Sequence, residues 1–579
     1  MHSGSREGGK KDAGEFMNPI WLEHYPEGVP ATIDIDPSLS INSLFGRCIE
    51  QYAERPAYSC MGHTITYRKL DELSAAFGAW MQSQGITKGS RVALMMPNIL
   101  QYPVCLFGLL RIGAIVVNVN PLYKARELQY QLNDSGAEMI VVAENFARTL
   151  ETVLDKTQVR RVILTTIGEE MGFKGLFIDF ALRHVMKKVE SFSLPDAIYF
   201  TDVLNHGRRM KLAPVETASS DIAFLQYTGG TTGVSKGAIL THGNLVANLL
   251  QVLAWVKPFL NLEERQIMIT PLPLYHVFSM TANCLLMMAI GAESVLITNP
   301  RDIPKMVREI SRYRFSIITG VNTLFNALLN NSDFRKLDFS SLRISLGGAM
   351  ALHPATAKRW REVTGHPLSE GYGLSETSPA AIINRLDDDG VGSIGMPIPS
   401  TDIVLRDDNG KDVGIGDIGE ICIRGPQVTQ GYWKRPDETE RAKTADGFFL
   451  TGDMAVMDGH GRFTIVDRKK DMILVSGLNV YPTEIEAVAS THPGVSECAA
   501  IGVPDNRAGE VVKLFVVRSS PTLTAEELIK FCRTSLAGYK VPRQIEFRDE
   551  LPKNTIGKVL RRELRQPAAE EKTPIGSAA

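Results

Sequence analysis

The chain has 579 residues, 44% hydrophobic and 22% charged, with a net charge of −2. It is too long for one hydrophobic core, so two or more domains are expected, and too near neutrality to predict nucleic-acid binding. Seven scattered cysteines (Cys48, Cys60, Cys105, Cys284, Cys422, Cys498 and Cys532) include no C-x-x-C pair, which argues against disulfides or a zinc site and for reduced core thiols in a cytoplasmic protein.

Residues 1–16 lack the apolar stretch of a secretory signal and read as a leader ahead of a natural start at Met17. From 17 to 469, short β-rich runs alternate with amphipathic helical patterns. Strands are expected over 91–95, 114–118, 315–319 and 342–346, and helices over 100–112 and 321–329. Such alternation predicts an α/β fold, a large N-terminal domain with parallel-rich sheets. Within it, 176–189 puts Leu176, Phe177, Phe180, Val185 and Val189 near one helical face, with Lys174, Arg183, Lys187 and Lys188 nearby. That pattern suits a core-facing helix with a basic outer face, or peripheral contact with the cytoplasmic face of an anionic inner membrane. The stretch 271–292 contains no Asp, Glu, Lys or Arg. It opens on Pro-Leu-Pro and carries His276, Ser279 and Asn283, so it reads as a buried helix beside an active-site loop rather than a membrane span. Over 401–424 the pattern turns to strand, turn, strand, with turns at 408–410 and 414–416, and predicts a small antiparallel unit. Past the charged turn 467–471 a small α+β C-terminal domain is expected over 470–567. It has a helix over 482–491, strands over 496–503 and 511–517, and a helix opened by the capping box Thr524-Ala-Glu-Glu527 and running to 536. Residues 568–579 read as a flexible tail. No oligomeric state follows from the sequence.

The most informative segment follows a strand expected over 222–226: Tyr227-Thr-Gly-Gly-Thr-Thr-Gly-Val-Ser-Lys-Gly237. Gly229, Gly230 and Gly233 let backbone N–H groups turn toward an anion, Thr228, Thr231 and Thr232 add hydroxyl donors, and Lys236 adds a fixed positive charge. The chemistry is that of a polyphosphate cradle. It is not a Walker A loop, in which Gly precedes the Lys and Ser or Thr follows it, because Lys236 sits between Ser235 and Gly237.

The loop resembles the signature of the acyl-adenylate-forming superfamily, with Gly229 where serine is usual and Ser235 where proline is usual. The resemblance continues in order through Glu370-Gly-Tyr-Gly-Leu-Ser-Glu-Thr-Ser-Pro379, Leu450-Thr-Gly-Asp453, Ile465-Val-Asp-Arg-Lys-Lys-Asp471 and Asn554-Thr-Ile-Gly-Lys558. Segments 272–279, 320–325 and 475–485 are similar to bacterial long-chain fatty-acid–CoA ligases. This implies a two-step reaction. A fatty-acid carboxylate attacks the α-phosphate of ATP, releasing pyrophosphate, and the thiol of coenzyme A then displaces AMP from the acyl-adenylate. By resemblance, Lys558 stabilises the charge at the α-phosphate and Glu376, with Thr228, holds Mg²⁺. Tyr372 stacks on adenine, framed by Gly348, Ala349, Gly371 and Gly373, and Asp453 with Arg468 binds the ribose. His276, Val277, Phe278, Val321, Leu324 and Phe325 line the acyl site, with Met280 near the place where some members carry a tryptophan gate. Ser476 and Gly477 meet coenzyme A, and Lys470 is the hinge of a mobile C-terminal domain. Two alternatives stay open on sequence grounds: another acid–CoA ligase or adenylating enzyme of the superfamily, and a non-enzymatic fatty-acid or nucleotide sensor on the same fold.

Overall fold

The computed structural model describes residues 19–228, 235–388, 390, 392–505, 507–554 and 557–565. The expected leader, the expected tail, and Gly229, Gly230, Thr231, Thr232 and Gly233 of the phosphate loop lie outside the described residues.

Two large sheets form the N-terminal domain. In one, the order runs Ile198–Tyr199, Arg161–Thr165, Met139–Ala143, Arg91–Met95, Ile115–Asn118, Ile222–Thr228, all parallel, and ends on the antiparallel Lys236–Thr241. The second has nine strands, with Ser369–Gly373, Ile344–Gly347, Ile317–Gly320, Ile267–Thr270, Glu293–Leu296 and Pro56–Cys60 parallel in its middle. Strands such as Ile115–Asn118 and Met139–Ala143 are buried along their whole length, as continuous apolar runs in sheets covered on both faces should be. The expected helices at 100–112 and 321–329 are Gln101–Arg111 and Asn322–Asn330.

The antiparallel unit is larger than its sequence suggests. Asp402–Arg406 and Gly419–Arg424 pair as expected, and Phe449–Met457 and Phe463–Arg468 extend them to four strands. The stretch 271–292 is a buried helical run whose middle, Met280–Leu285, has π geometry. Its polar groups are satisfied internally, Asn283 donating to the Thr319 hydroxyl at 2.8 Å and Ser279 to the Leu272 carbonyl at 2.7 Å. Among the described residues, no helix is long and apolar enough to cross a membrane. Cysteines are all free, six buried and Cys498 half-buried.

The small C-terminal domain is a five-stranded sheet with Pro482–Ser490 and Ala525–Arg533 packed on it. Thr524 caps the second helix through the Glu527 N–H at 3.2 Å. That helix stops at Arg533, short of the expected 536, ahead of the Ala537-Gly538 turn.

Candidate active site

The site is assembled where the sheets and the small domain meet. Tyr372 stands on Ser369–Gly373 and donates its hydroxyl to Asp453 at 2.7 Å, joining the nine-stranded sheet to the four-stranded one. Asp453 and Arg468 are directly paired across neighbouring antiparallel strands, so their side chains share a face, and the guanidinium Nε lies 3.2 Å from the carboxylate. The backbone around Tyr372 demands small residues. A Cβ on Gly373 would lie 1.8 Å from the Pro379 carbonyl, and one on Gly348 would lie 2.9 Å from the Phe278 ring and 3.2 Å from the Gly371 carbonyl. Ala349 beside it takes a left-handed φ of 65°.

Thr228 and Lys236 face each other at one end of an antiparallel strand pair. The Ser235 hydroxyl closes it on the Thr228 carbonyl at 2.7 Å. Lys236 forms an ion pair with Glu438 and lies over the Tyr432 ring at 5.2 Å. Burial lowers the Lys236 pKa, and the negative field of Glu376 opposes the shift. Glu376 is 9% exposed and accepts the Tyr432 hydroxyl at 2.8 Å. Burial raises its pKa, against the lowering effects of Tyr432 and Lys236. Tyr432 reaches this carboxylate because its segment lies along the strand Lys236–Thr241, where Ile239 donates to Gly431 at 3.0 Å and Trp433 to Gly237 at 2.8 Å. Neither Tyr432 nor Glu438 was legible in sequence: each lies about 200 residues from Lys236, in a loop and a short helix without motif spacing.

The small domain brings Lys558 to the same place. Gly557 approaches the first turn of Asn322–Asn330 so closely that a Cβ would lie 3.1 Å from the Thr323 hydroxyl. The Lys558 N–H is held by the Asn554 side chain at 2.8 Å. Burial, with the charge of Arg468 next, lowers the Lys558 pKa to about 8 while Asp453 opposes it. His276 is close enough to feel Lys558: burial first, then that ammonium, pull its pKa down to about 4. Its ring is therefore neutral at pH 7. Nδ1 accepts the Phe278 N–H at 3.4 Å, which leaves the proton on Nε2.

The expected acyl-lining residues divide. Phe278, Val321, Leu324 and Phe325 belong to one apolar cluster with Ala349 and Leu352, whereas Val277 packs into the other, larger core. Phe325 sits deep, edge-on to Trp360 at 4.8 Å. Ser476 and Gly477 are not brought to the site. They form the exposed turn between Ile473–Val475 and Leu478–Val480, with φ of 52° and 81°, left-handed values at both central turn positions. Lys470 is half-buried, its pKa lowered by burial and by Arg468.

The profile of the AMP-binding enzyme family matches residues 45–433, and that of the AMP-binding enzyme C-terminal domain matches 484–558. The chain is 54% identical over 555 residues to a long-chain-fatty-acid–CoA ligase of Escherichia coli O157:H7, covering 95% of this chain and 99% of the relative. With its namesake from Yersinia pestis it shares 55% identity over 564 residues, 97% and 99% of the two chains. The crystal structure of ATP-bound MatB from Rhodopseudomonas palustris superposes with a TM-score of 0.79 at 28% identity, covering 91% of this chain and 98% of that one.

Proposed function

The chain belongs to the AMP-binding enzyme family, and from that premise we propose that it uses ATP to activate a long-chain fatty acid as its acyl-adenylate and then transfers the acyl group to coenzyme A. The observation that supports this reading most is the approach of the Gly557-Lys558 segment to Thr323, which brings Lys558 within electrostatic reach of His276 and of the Arg468–Asp453 pair. A cation buried between a nucleotide-binding pair and an apolar cluster suits a reaction that concentrates negative charge between ATP and a lipid carboxylate.

In this reading Asp453 and Arg468 take the ribose hydroxyls and Tyr372 covers the adenine, with the backbone of Gly348, Ala349, Gly371 and Gly373 framing it. Thr228 and Lys236 hold the polyphosphate, Lys236 exchanging Glu438 for phosphate oxygens. His276, neutral with its proton on Nε2, donates to the fatty-acid carboxylate without trapping it in an ion pair. The acyl chain then runs along the apolar cluster that holds Phe278, Val321, Leu324 and Phe325, with Val277 in the neighbouring core. Attack of the carboxylate oxygen on the α-phosphorus forms the acyl–phosphate bond and breaks the bond to pyrophosphate. Lys558 neutralises the equatorial oxygens. The domain boundary lies at Lys470, and rotation about it exchanges the Lys558 loop for the Ser476-Gly477 turn, which meets the pantetheine arm as the thiol sulfur attacks the acyl carbon and AMP leaves. ATP–pyrophosphate exchange with hexadecanoate, benzoate and single amino acids tests the reading. Hexadecanoate should support exchange and, with coenzyme A, thioester formation, and exchange with benzoate alone would reject it.

The donor set fits Mg²⁺. Glu376 is a buried carboxylate with a neutral hydroxyl as its close partner, and Thr228, on the strand that packs against the Ser375–Thr377 turn, would add a hard oxygen. Among the described residues there is no cluster of three or more metal-ligating side chains, which suits an ion held mainly by substrate phosphates. Bound there, Mg²⁺ would supply charge neutralisation for the phosphates. Glu376→Gln is expected to raise the Mg²⁺ concentration for half-maximal activity about tenfold, since an amide is a weaker ligand. An unchanged Mg²⁺ titration in the folded variant would argue against the assignment.

Peripheral contact with an anionic membrane is the finer part of the reading. The helix Phe173–Phe180, continued through Ala181–Val185, has its polarity inverted. Asp179 is turned inward, accepting the Gly168 N–H at 2.8 Å, and Arg183 is tied to Glu144 at 2.7 Å. Outward point Phe173, Leu176, Phe177, Phe180 and Val185, with Phe173 85% and Phe177 76% exposed, and Lys187 and Lys188 follow on the surface. Val189 lies beyond the helix. Such a face suits the bilayer in which a fatty acid dissolves. Phe173→Ser with Phe177→Ser should weaken co-sedimentation with phosphatidylglycerol vesicles by about 100-fold or more, from the ~1.5–3 kcal/mol each buried ring contributes. Equal binding by the double variant would remove this helix as the contact.

A further inference from the structure

The strand Phe463–Arg468 ends in neighbouring residues that face opposite ways, as successive strand residues do. Arg468 faces Asp453 and the nucleotide side. Asp467, buried, faces the small domain. One carboxylate oxygen accepts the Thr483 N–H at 2.8 Å, at the first turn of Pro482–Ser490. This N–H has no partner within its own helix. The other oxygen accepts the Arg468 N–H at 2.7 Å and lies 4.0 Å from the Arg561 guanidinium. Arg561 forms a two-bond pair with Glu486 of that same helix, at 2.7 and 2.8 Å, and lies 3.6 Å from Asp471. It also follows the tail hairpin that carries Lys558, which is closed by the Lys553–Val559 bridge and by the Leu560 N–H on the Pro552 carbonyl at 2.8 Å.

These contacts make a short rigid path from Lys558 through Arg561 and Glu486 to Thr483, and across the domain boundary to Asp467. We propose that Asp467 is a positioning residue for acyl-adenylate formation, holding the small domain in the orientation that places Lys558 in the site. The inference rests on the two-step reading above. Rotation about Lys470 must part Thr483 and Arg561 from Asp467, so this carboxylate stabilises one of the two orientations selectively. Because Asp467 and Arg468 share a backbone segment, nucleotide contacts at Arg468 and domain contacts at Asp467 reinforce each other.

The test compares the two half-reactions in the full-length protein. Asp467→Ala should lower hexadecanoate-dependent ATP–pyrophosphate exchange by about 10- to 100-fold, as loss of a charged hydrogen-bond acceptor does. Thioester formation from supplied hexadecanoyl-adenylate and coenzyme A should stay within about twofold of wild type or rise. Asp467→Asn keeps an acceptor for Thr483 and should recover much of the exchange. Trypsin cleavage after Lys469 or Lys470, read without substrate, should quicken in Asp467→Ala and much less in Asp467→Asn. Equal losses in both half-reactions, or unchanged exchange together with unchanged cleavage, would overturn the proposal. A wild-type chain that fails to exchange pyrophosphate with hexadecanoate rejects the fatty-acid reading instead, and the cleavage rates then decide on Asp467 alone.

Discussion

Lys558→Ala is expected to slow acyl-adenylate formation by about 10²–10³-fold, the usual effect of deleting a preorganised group that meets transition-state charge. Transfer from supplied acyl-adenylate to coenzyme A should change little, because the Ser476-Gly477 turn rather than the Lys558 loop would then occupy the site. Single-turnover measurement of each half-reaction checks this, and equal losses in both would mean that the small domain merely closes the pocket. The pH dependence gives an independent reading. With its pKa held down to about 8 by burial and Arg468, Lys558 is protonated below that pH and loses its charge above it. The kcat/KM for ATP in pyrophosphate exchange should therefore fall as pH rises through about 8. In Lys558→Arg the alkaline limb should move upward, since a guanidinium keeps its proton.

Lys470→Pro should show the opposite partition. The Arg468 carbonyl accepts both the Asp471 N–H at 2.9 Å and the Met472 N–H at 3.2 Å, so the chain turns tightly around Lys470. Proline there fixes φ and removes one N–H. Thioester formation, which under the proposed rotation uses another backbone conformation at Lys470, should drop roughly 10- to 100-fold, from the ~1–3 kcal/mol that an unfavourable backbone state costs. Pyrophosphate exchange should be affected less. Stopped-flow transfer from hexadecanoyl-adenylate would show it, and a variant with normal transfer would place the hinge elsewhere.

The difference between what was legible in the sequence and what was not follows the range of the interactions involved. Strands such as Arg91–Met95 and Ile317–Gly320 were readable because burial on both faces writes a continuous apolar run into the chain. The small domain was readable from its caps and turns. Lys558, Asp453 and Arg468 could be named from ordered local motifs, but not as neighbours, since residues 453 and 468 meet through strand register and residue 558 arrives from another domain. Tyr432, Glu438 and Arg561 carry no local signal of their own, and Asp467, though inside one of those motifs, carries none for its partners in the small domain. Their partners lie 56, 202, 75 and 16 residues away, and an unremarkable tyrosine or arginine becomes a site component only through packing. The exposed helix at 173–185 is the reverse case. Its periodicity was plain, but which face looks outward depended on Asp179 finding Thr166 and Gly168 and on Arg183 finding Glu144.

The segment Gly431–Trp433 has a consequence beyond carrying Tyr432 to Glu376. Lys236–Thr241 is the terminal strand of its sheet, and an uncovered terminal strand offers its free N–H and C=O groups as a template for pairing with another chain. The bonds from Ile239 to Gly431 and from Trp433 to Gly237 occupy part of that template. The stretch of backbone that sets the surroundings of Glu376 and Lys236 thus also shields the protein from intermolecular β-aggregation, so changes there should alter solubility and activity together.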